Sequence, residues 1–237
     1  MFAARIQDLI SACRGRTQPV LTSFLSPSEM ELVKQITPGD INVSFYGGYE
    51  NAERQVACIM PEGFEPKYDI DILYTSYRPV SRPLTHRDVL GGLMHLGIDR
   101  SWLGDFIVTD KEITILCKES MSDFICTEFR LIGRCPVHFE IRNDLQIQPG
   151  KREVIQVNAA SLRMDVVVAS LSHCSRSKAA EKIRQGYVKL NDVVLEENRQ
   201  LCNNDFVSIR KCGRFRFLGI KSTTRKDRLI LEFEQYQ

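Results

Sequence analysis

The chain has 237 residues, 43% hydrophobic and 26% charged, with a net charge of +2. That composition predicts a globular protein with room for one large domain or two to three small ones. Apolar runs stay short of the roughly 20 residues a membrane helix needs, and the first residues lack a signal-peptide core, so a cytoplasmic protein without a membrane partner is expected.

The eight cysteines form no C-x-x-C pair and no close Cys/His cluster with zinc spacing. Reduced thiols, no metal and no cofactor are therefore expected. Charge is unevenly spread: from Ser161 onward 15 Lys and Arg face 9 Asp and Glu, a surplus of +6, leaving −4 for the first 160 residues. A basic C-terminal third points to nucleic acid as its partner.

Residues 1–66 read as an accessory α/β region. Phe2, Ile6, Leu9 and Ile10 recur at helical spacing. Ser26-Pro27-Ser28-Glu29 supplies an N-cap and a proline at the first helical position, leading into Met30, Leu32, Val33 and Ile36. Ile41 to Phe45 alternates as a half-buried strand does, and Val56 to Met60 forms an apolar stretch. Between them lies Gly47-Gly48-Tyr49-Glu50-Asn51-Ala52-Glu53-Arg54. It lacks both phosphate-loop patterns, G-x-x-x-x-G-K-[ST] and G-x-G-x-x-G, and reads as a turn between strands.

Residues 67–150 read as strand, helix, strand, strand, helix, strand. The pieces are Ile70 to Tyr74, a helix capped by Thr85 and stopped near Gly97, Phe106 to Thr109, Ile113 to Leu116, a helix from about Phe124 to Ile132, and Val137 to Ile141. This βαββαβ order is that of a ferredoxin-like, RRM-like plait. That plait hosts many functions, and its RNA recognition motifs stack bases on strand aromatics, for which Tyr74 and Tyr77 are candidates, but the third strand has no aromatic residue. Leu84-Thr85-His86-Arg87-Asp88 reads as a capped helix start rather than an acid–base pair. Trp102 is expected to pack onto the plait. Pro149-Gly150-Lys151-Arg152-Glu153 marks a boundary, followed by a connecting strand, Val154 to Val157.

The last domain, 161–237, opens Leu162-Arg163-Met164-Asp165. Leu162, Val166 and Ala169 form one helical stripe. Ser175 caps a second helix, Ala179 and Ile183 face the first, and Gly186 ends it. Val188-Lys189-Leu190, an Asn191-Asp192 turn and Val193 to Leu195 form a hairpin, and Asp205 to Ile209 adds a strand. Arg163, Arg176, Lys178, Lys182, Arg184 and Lys189 are left outside this packing. Lys178 and Lys182, four residues apart, share a helix face. Arginine forks grip phosphate bidentately and lysine adds point charge.

At these residues the sequence resembles the S4 RNA-binding domain. The matching pattern is Arg163-x-Asp165, Ser175-Arg176 with Ala179, Ile183-x-x-Gly186-x-Val188-x-Leu190-Asn191, and Asp205-x-Val207. Asp192 stands where such domains usually have glycine, and Met164 replaces leucine. Gly47 to Arg54, Leu84 to Gly91, Leu96-Gly97-Ile98 and Gly104-Asp105 extend the resemblance to the YlmH family over essentially the whole chain. These are bacterial cytoplasmic proteins with an N-terminal region, a plait and a C-terminal S4 domain, related to photosystem II S4-domain proteins.

The resemblance implies an α+β protein acting in ribosome-associated quality control. Such proteins bind rRNA and peptidyl-tRNA on stalled large ribosomal subunits and assist C-terminal tailing of the nascent chain. The implied contact residues are Arg163 and Arg176. Helix geometry and the motif extend the RNA-binding set to Ser175, Lys178, Lys182, Arg184 and Lys189. A non-enzymatic monomer without cofactor is expected. Two other classes stay open: an RNA-modifying enzyme targeted by an S4 domain, and an assembly or division adaptor using the acidic N-terminal region.

Overall fold

A computed structural model describes residues 2–147, 153–191, 193–203 and 205–236. The chain forms two compact units, Met1–Pro149 and Gly150–Gln237. The breaker Pro149 to Arg152, the turn residue Asp192 and Asn204 lie outside the described residues.

The first unit begins with α1 (Phe2–Arg16), β1 (Val20–Leu25), α2 (Pro27–Ile36), β2 (Asn42–Tyr46) and β3 (Gln55–Met60). The strands pair antiparallel in the order β1-β3-β2. Ile6, Ile10 and Cys13 of α1 and Val33 of α2 bury against Leu25, Ala57 and Ile59. Ser26 caps α2 as expected: its Oγ accepts from Glu29 N, and its own N–H donates to Glu29 Oε2 at 2.7 Å. That reciprocal pair satisfies two of the donors a helix start leaves over. β1 was not expected from the sequence. Its residues, Val20-Leu21-Thr22-Ser23-Phe24-Leu25, do not alternate polar with apolar, and polar Thr22 is buried, its Oγ1 accepting from Ala57 N at 2.9 Å.

There follow β4 (Ile70–Ser76), α3 (His86–His95), a 3-10 turn (Arg100–Trp102), β5 (Leu103–Val108), β6 (Glu112–Lys118), α4 (Glu119–Glu128), β7 (Leu131–Ile132), β8 (Cys135–Pro136) and β9 (Glu140–Ile141). The main sheet runs β5-β6-β4-β9 with every neighbouring pair antiparallel. Leu73, Ile113 and Ile115 pack with Val89, Leu93, Ile125 and Phe129 from the helices. The second helix departs from the expected Phe124 to Ile132. It starts at Glu119 and ends before Phe129, because Leu131–Ile132 folds back on Cys135–Pro136 across Gly133 at φ +61°. The last strand pairs only over Glu140–Ile141, beside Leu73 and Tyr74. Trp102 is 39% exposed in its 3-10 turn rather than packed into a core.

The other face of this sheet is covered. Ile72 and Leu116 are buried in one cluster with Phe24 of β1 and Val56 of β3. The approach is close enough that a Cβ on Gly104 would lie 2.7 Å from the Phe24 ring. The connection from Gly47 to Arg54 locks this arrangement. Asp105 accepts from Tyr49 Oη at 2.7 Å, Glu53 N at 2.6 Å and Arg54 N at 3.1 Å. Arg54 donates to the carbonyls of Leu103 at 3.1 Å and Phe24 at 2.9 Å. Buried Lys118 joins the two sheets as well, pairing with Asp69 and donating to Thr22 O at 3.0 Å.

The second unit contains β10 (Glu153–Ala159), α5 (Met164–Leu171), α6 (Arg176–Arg184), β11 (Val188–Leu190), β12 (Val193–Val194), β13 (Phe206–Ile209), β14 (Gly213–Thr223) and β15 (Leu229–Tyr236). Its sheet runs β10-β15-β14-β13-β11-β12, antiparallel throughout. Met164, Val167, Val168, Leu171, Ala179 and Ile183 of the helices bury against Val207, Phe215, Phe217, Leu231 and Phe233. β10, read from the sequence as a connector, is an edge strand paired along its whole length with β15.

Candidate nucleic-acid interface

The start of α5 is built around a buried carboxylate. Arg163 is the N-cap and makes no side-chain cap bond there. Its side chain turns to Asp165 instead: Nε donates to Oδ1 at 3.2 Å. Arg176, first residue of α6, donates from Nε to Oδ2 of the same carboxylate at 2.6 Å. A strand-like segment braces this corner, with Met164 N donating to Arg199 O at 2.9 Å and Asp165 N to Asn198 Oδ1 at 3.2 Å. The Asp165 side chain is 8% exposed, whereas those of Arg163 and Arg176 are 52% and 59% exposed. Burial pushes the Asp165 carboxyl up, but contacts with Asn198, Arg176 and Arg163 outweigh it and hold the group at about 2. At neutral pH it is an anion that orients two guanidiniums toward solvent.

A second basic feature lies at the other end of α6. Lys178, Glu181, Lys182, Gln185, Tyr187, Arg210 and Lys211 line an open groove of about 460 Å³. The structure thus places the seven residues of the expected set in different settings. Arg163 and Arg176 meet at Asp165, and Lys178 and Lys182 meet in the groove. Ser175 caps α6, its Oγ accepting from Lys178 N at 3.3 Å. Arg184 and Lys189 are exposed and belong to neither cluster. Tyr187, Arg210 and Lys211 were not singled out from the sequence. The signal available was basic Arg210-Lys211 directly after a strand; its pairing with α6 is a long-range fact.

The β5-β6-β4-β9 sheet offers a poorer surface. Tyr77 is buried, its hydroxyl donating to Thr109 O and accepting from Leu84 N, both at 2.9 Å. Tyr74 sits among Glu112, to which its hydroxyl donates at 2.8 Å, and the strand neighbour Glu140. The His86-Arg87-Asp88 segment is a helix start: Asp88 closes a capping box with Thr85 and pairs with Arg82 at 2.8 Å. Arg82 first, then Thr85, holds the Asp88 carboxyl far below the usual carboxylate range. Among the described residues no group of three or more His, Cys, Asp or Glu side chains is placed to hold a metal ion. No described helix is long and apolar enough to cross a membrane.

Comparison with known proteins bears on the whole chain. The family model described as "Putative RNA-binding domain in YlmH" matches residues 64–145. "Cell division protein ylmH" of Streptococcus pneumoniae shares the fold with a TM-score of 0.54 and 22% identity, over 60% of this chain and 88% of that one. "Ribosome-associated protein quality control protein P2" of Bacillus subtilis (strain 168) is 31% identical over 222 residues, 91% of this chain and 86% of the relative. With a relative that similar along nearly its full length, the chain belongs to the YlmH family.

Proposed function

We propose that this protein is a non-enzymatic RNA-binding factor that holds rRNA and peptidyl-tRNA on the large ribosomal subunit while stalled translation is rescued in the cytoplasm. On this reading residues 161–237 are an S4 RNA-binding domain and the βαββαβ unit before them is a ferredoxin-like plait. The factor acts as a monomer, and its part in C-terminal tailing of the nascent chain is to position RNA. The name of the Bacillus subtilis relative, a ribosome-associated quality control protein, supports the setting.

The observation that carries the reading is the Asp165 corner. A buried anion holds two arginines that remain more than half exposed. Holding Arg163 through Nε and Nη2 and Arg176 through Nε reduces the side-chain entropy lost on binding and leaves their remaining N–H donors for phosphate oxygens. Two such forks on adjacent helix starts suit the irregular backbone of folded RNA better than a duplex groove. The test is co-sedimentation of the full chain with purified large subunits. Arg163→Ala combined with Arg176→Ala abolishes it; a double variant that still pellets with the subunits removes this assignment.

A further inference from the structure

The groove at the end of α6 has a construction of its own. Gly186, at φ +70°, closes the helix: its N–H donates to Ile183 O at 3.0 Å, and Tyr187 N donates to Lys182 O at 2.9 Å. This is a Schellman closure, and it sets Tyr187 immediately beyond the last turn. Arg210 N then donates to Tyr187 O at 2.9 Å, drawing the β13–β14 turn alongside. Lys211 occupies the left-handed region there at φ +64°. Four cations, Lys178, Lys182, Arg210 and Lys211, so converge on one groove with a single carboxylate, Glu181, which accepts from Gln185 Nε2 at 2.9 Å. Tyr187 is 38% exposed, and the Arg210 guanidinium lies over its ring, 4.8 Å from the centroid.

Charge alone would suit any polyanion. The exposed aromatic does not: an acidic peptide has no use for a ring face, and a duplex keeps its bases stacked inside. A splayed base has a π-face to lay on tyrosine, with flanking phosphates for the lysines. The groove volume also lies within the range of small-ligand sites. We infer that this groove is a subsite for one unpaired nucleotide of RNA, its base stacked on the Tyr187–Arg210 pair and its phosphates held by Lys178, Lys182 and Lys211. The inference rests on the RNA-binding reading above and adds to it a selectivity for single-stranded segments.

The test uses fluorescence anisotropy of the full chain with a labelled oligouridylate of about ten nucleotides, a length in the range such sites cover, and with an RNA duplex of equal length. Tyr187→Ala weakens single-strand binding roughly 10- to 100-fold and leaves duplex binding nearly unchanged, while Tyr187→Phe keeps the wild-type affinity. Lys211→Asn, chosen because asparagine tolerates the left-handed region, lowers the slope of log affinity against log salt by about 0.7. The inference falls if Tyr187→Ala binds the oligouridylate like wild type, if both RNAs are lost equally, or if an oligoglutamate peptide displaces the RNA at equal charge. If Tyr187→Ala has no effect while Arg163→Ala with Arg176→Ala loses RNA, the groove is wrong and the broader reading stands. A wild-type chain that binds neither RNA overturns both.

Discussion

At the scale of single residues, Asp165 ties the start of α5 to that of α6. Its carboxyl titrates at about 2 in the folded chain, below the ordinary value near 3.8. A folded-state value that is lowered stabilises the protein above the unfolded-state value, and that stabilisation is lost as pH falls through the folded one. The window for this group is therefore about pH 4 down to about pH 2. Its exposed arginine partners are screened by solvent, so the contribution at neutral pH is about 1–2 kcal/mol. Asp165→Asn should lower stability in urea by that amount at pH 7, with the gap to wild type closing between pH 4 and pH 2. The variant should also lose RNA affinity, since both guanidiniums lose the anion that orients them. An unchanged affinity would show that Arg163 and Arg176 need no such orientation.

At the scale of elements, the connection between β2 and β3 ties two sheets into one unit. Gly48 sits at φ +96°, and a Cβ there would lie 2.1 Å from Leu116 Cδ2, so the turn presses directly on β6. Asp105 then gathers two backbone amides and the Tyr49 hydroxyl from that turn. Asp105→Ala strands these donors in a half-buried site and should cost roughly 2–4 kcal/mol, since each unmet donor carries a desolvation penalty of about 1–3 kcal/mol. Urea unfolding measures the loss, and amide exchange should quicken at Glu53 and Arg54 before the β6 core; equal protection throughout would contradict a local lock. Helix starts were the most legible elements, because Ser26, Thr85 and Ser175 announce their caps through local chemistry. The turn character of Gly47-Gly48 was legible too, but not its lock on Asp105, a contact 50-odd residues away that no local pattern encodes. β14 shows Phe215 and Phe217 alternating with Arg214 and Arg216, a period-2 strand signal carried by the local sequence. The groove residues Tyr187 and Arg210 could not be paired in advance, since the pairing of β11 with β13, continued by the Arg210 N to Tyr187 O hydrogen bond, brings them together.

At the scale of the whole chain, the question is which unit meets RNA. The family model over residues 64–145 is named for RNA binding, yet the sheet face a base-stacking plait would use is filled by Phe24 and Val56 over Ile72 and Leu116. The aromatic left partly open on that sheet, Tyr74, donates its hydroxyl to Glu112 and lies beside Glu140, carboxylates that repel phosphate. Arg142, whose guanidinium lies 6.0 Å from the Tyr74 ring centroid, is engaged by Glu140 and Asp144 at 3.4 and 2.9 Å. Lys and Arg collect instead after Ser161, where the surplus is +6 although the chain carries only +2. Local rather than net charge should then set the salt dependence, because counterions are released only where phosphates are contacted. In a salt titration of single-stranded RNA binding, Arg163→Ala with Arg176→Ala should lower the slope of log affinity against log salt by about 1.4, or 0.7 for each phosphate contact removed. Tyr74→Ala should leave the slope intact and change affinity by no more than about twofold, the range of an ordinary surface substitution. A tenfold or greater loss in Tyr74→Ala, with the slope of the double arginine variant unaltered, would move the RNA from the C-terminal unit to the β5-β6-β4-β9 sheet, because stacking would then be lost with Tyr74 and no phosphate contact with the two arginines.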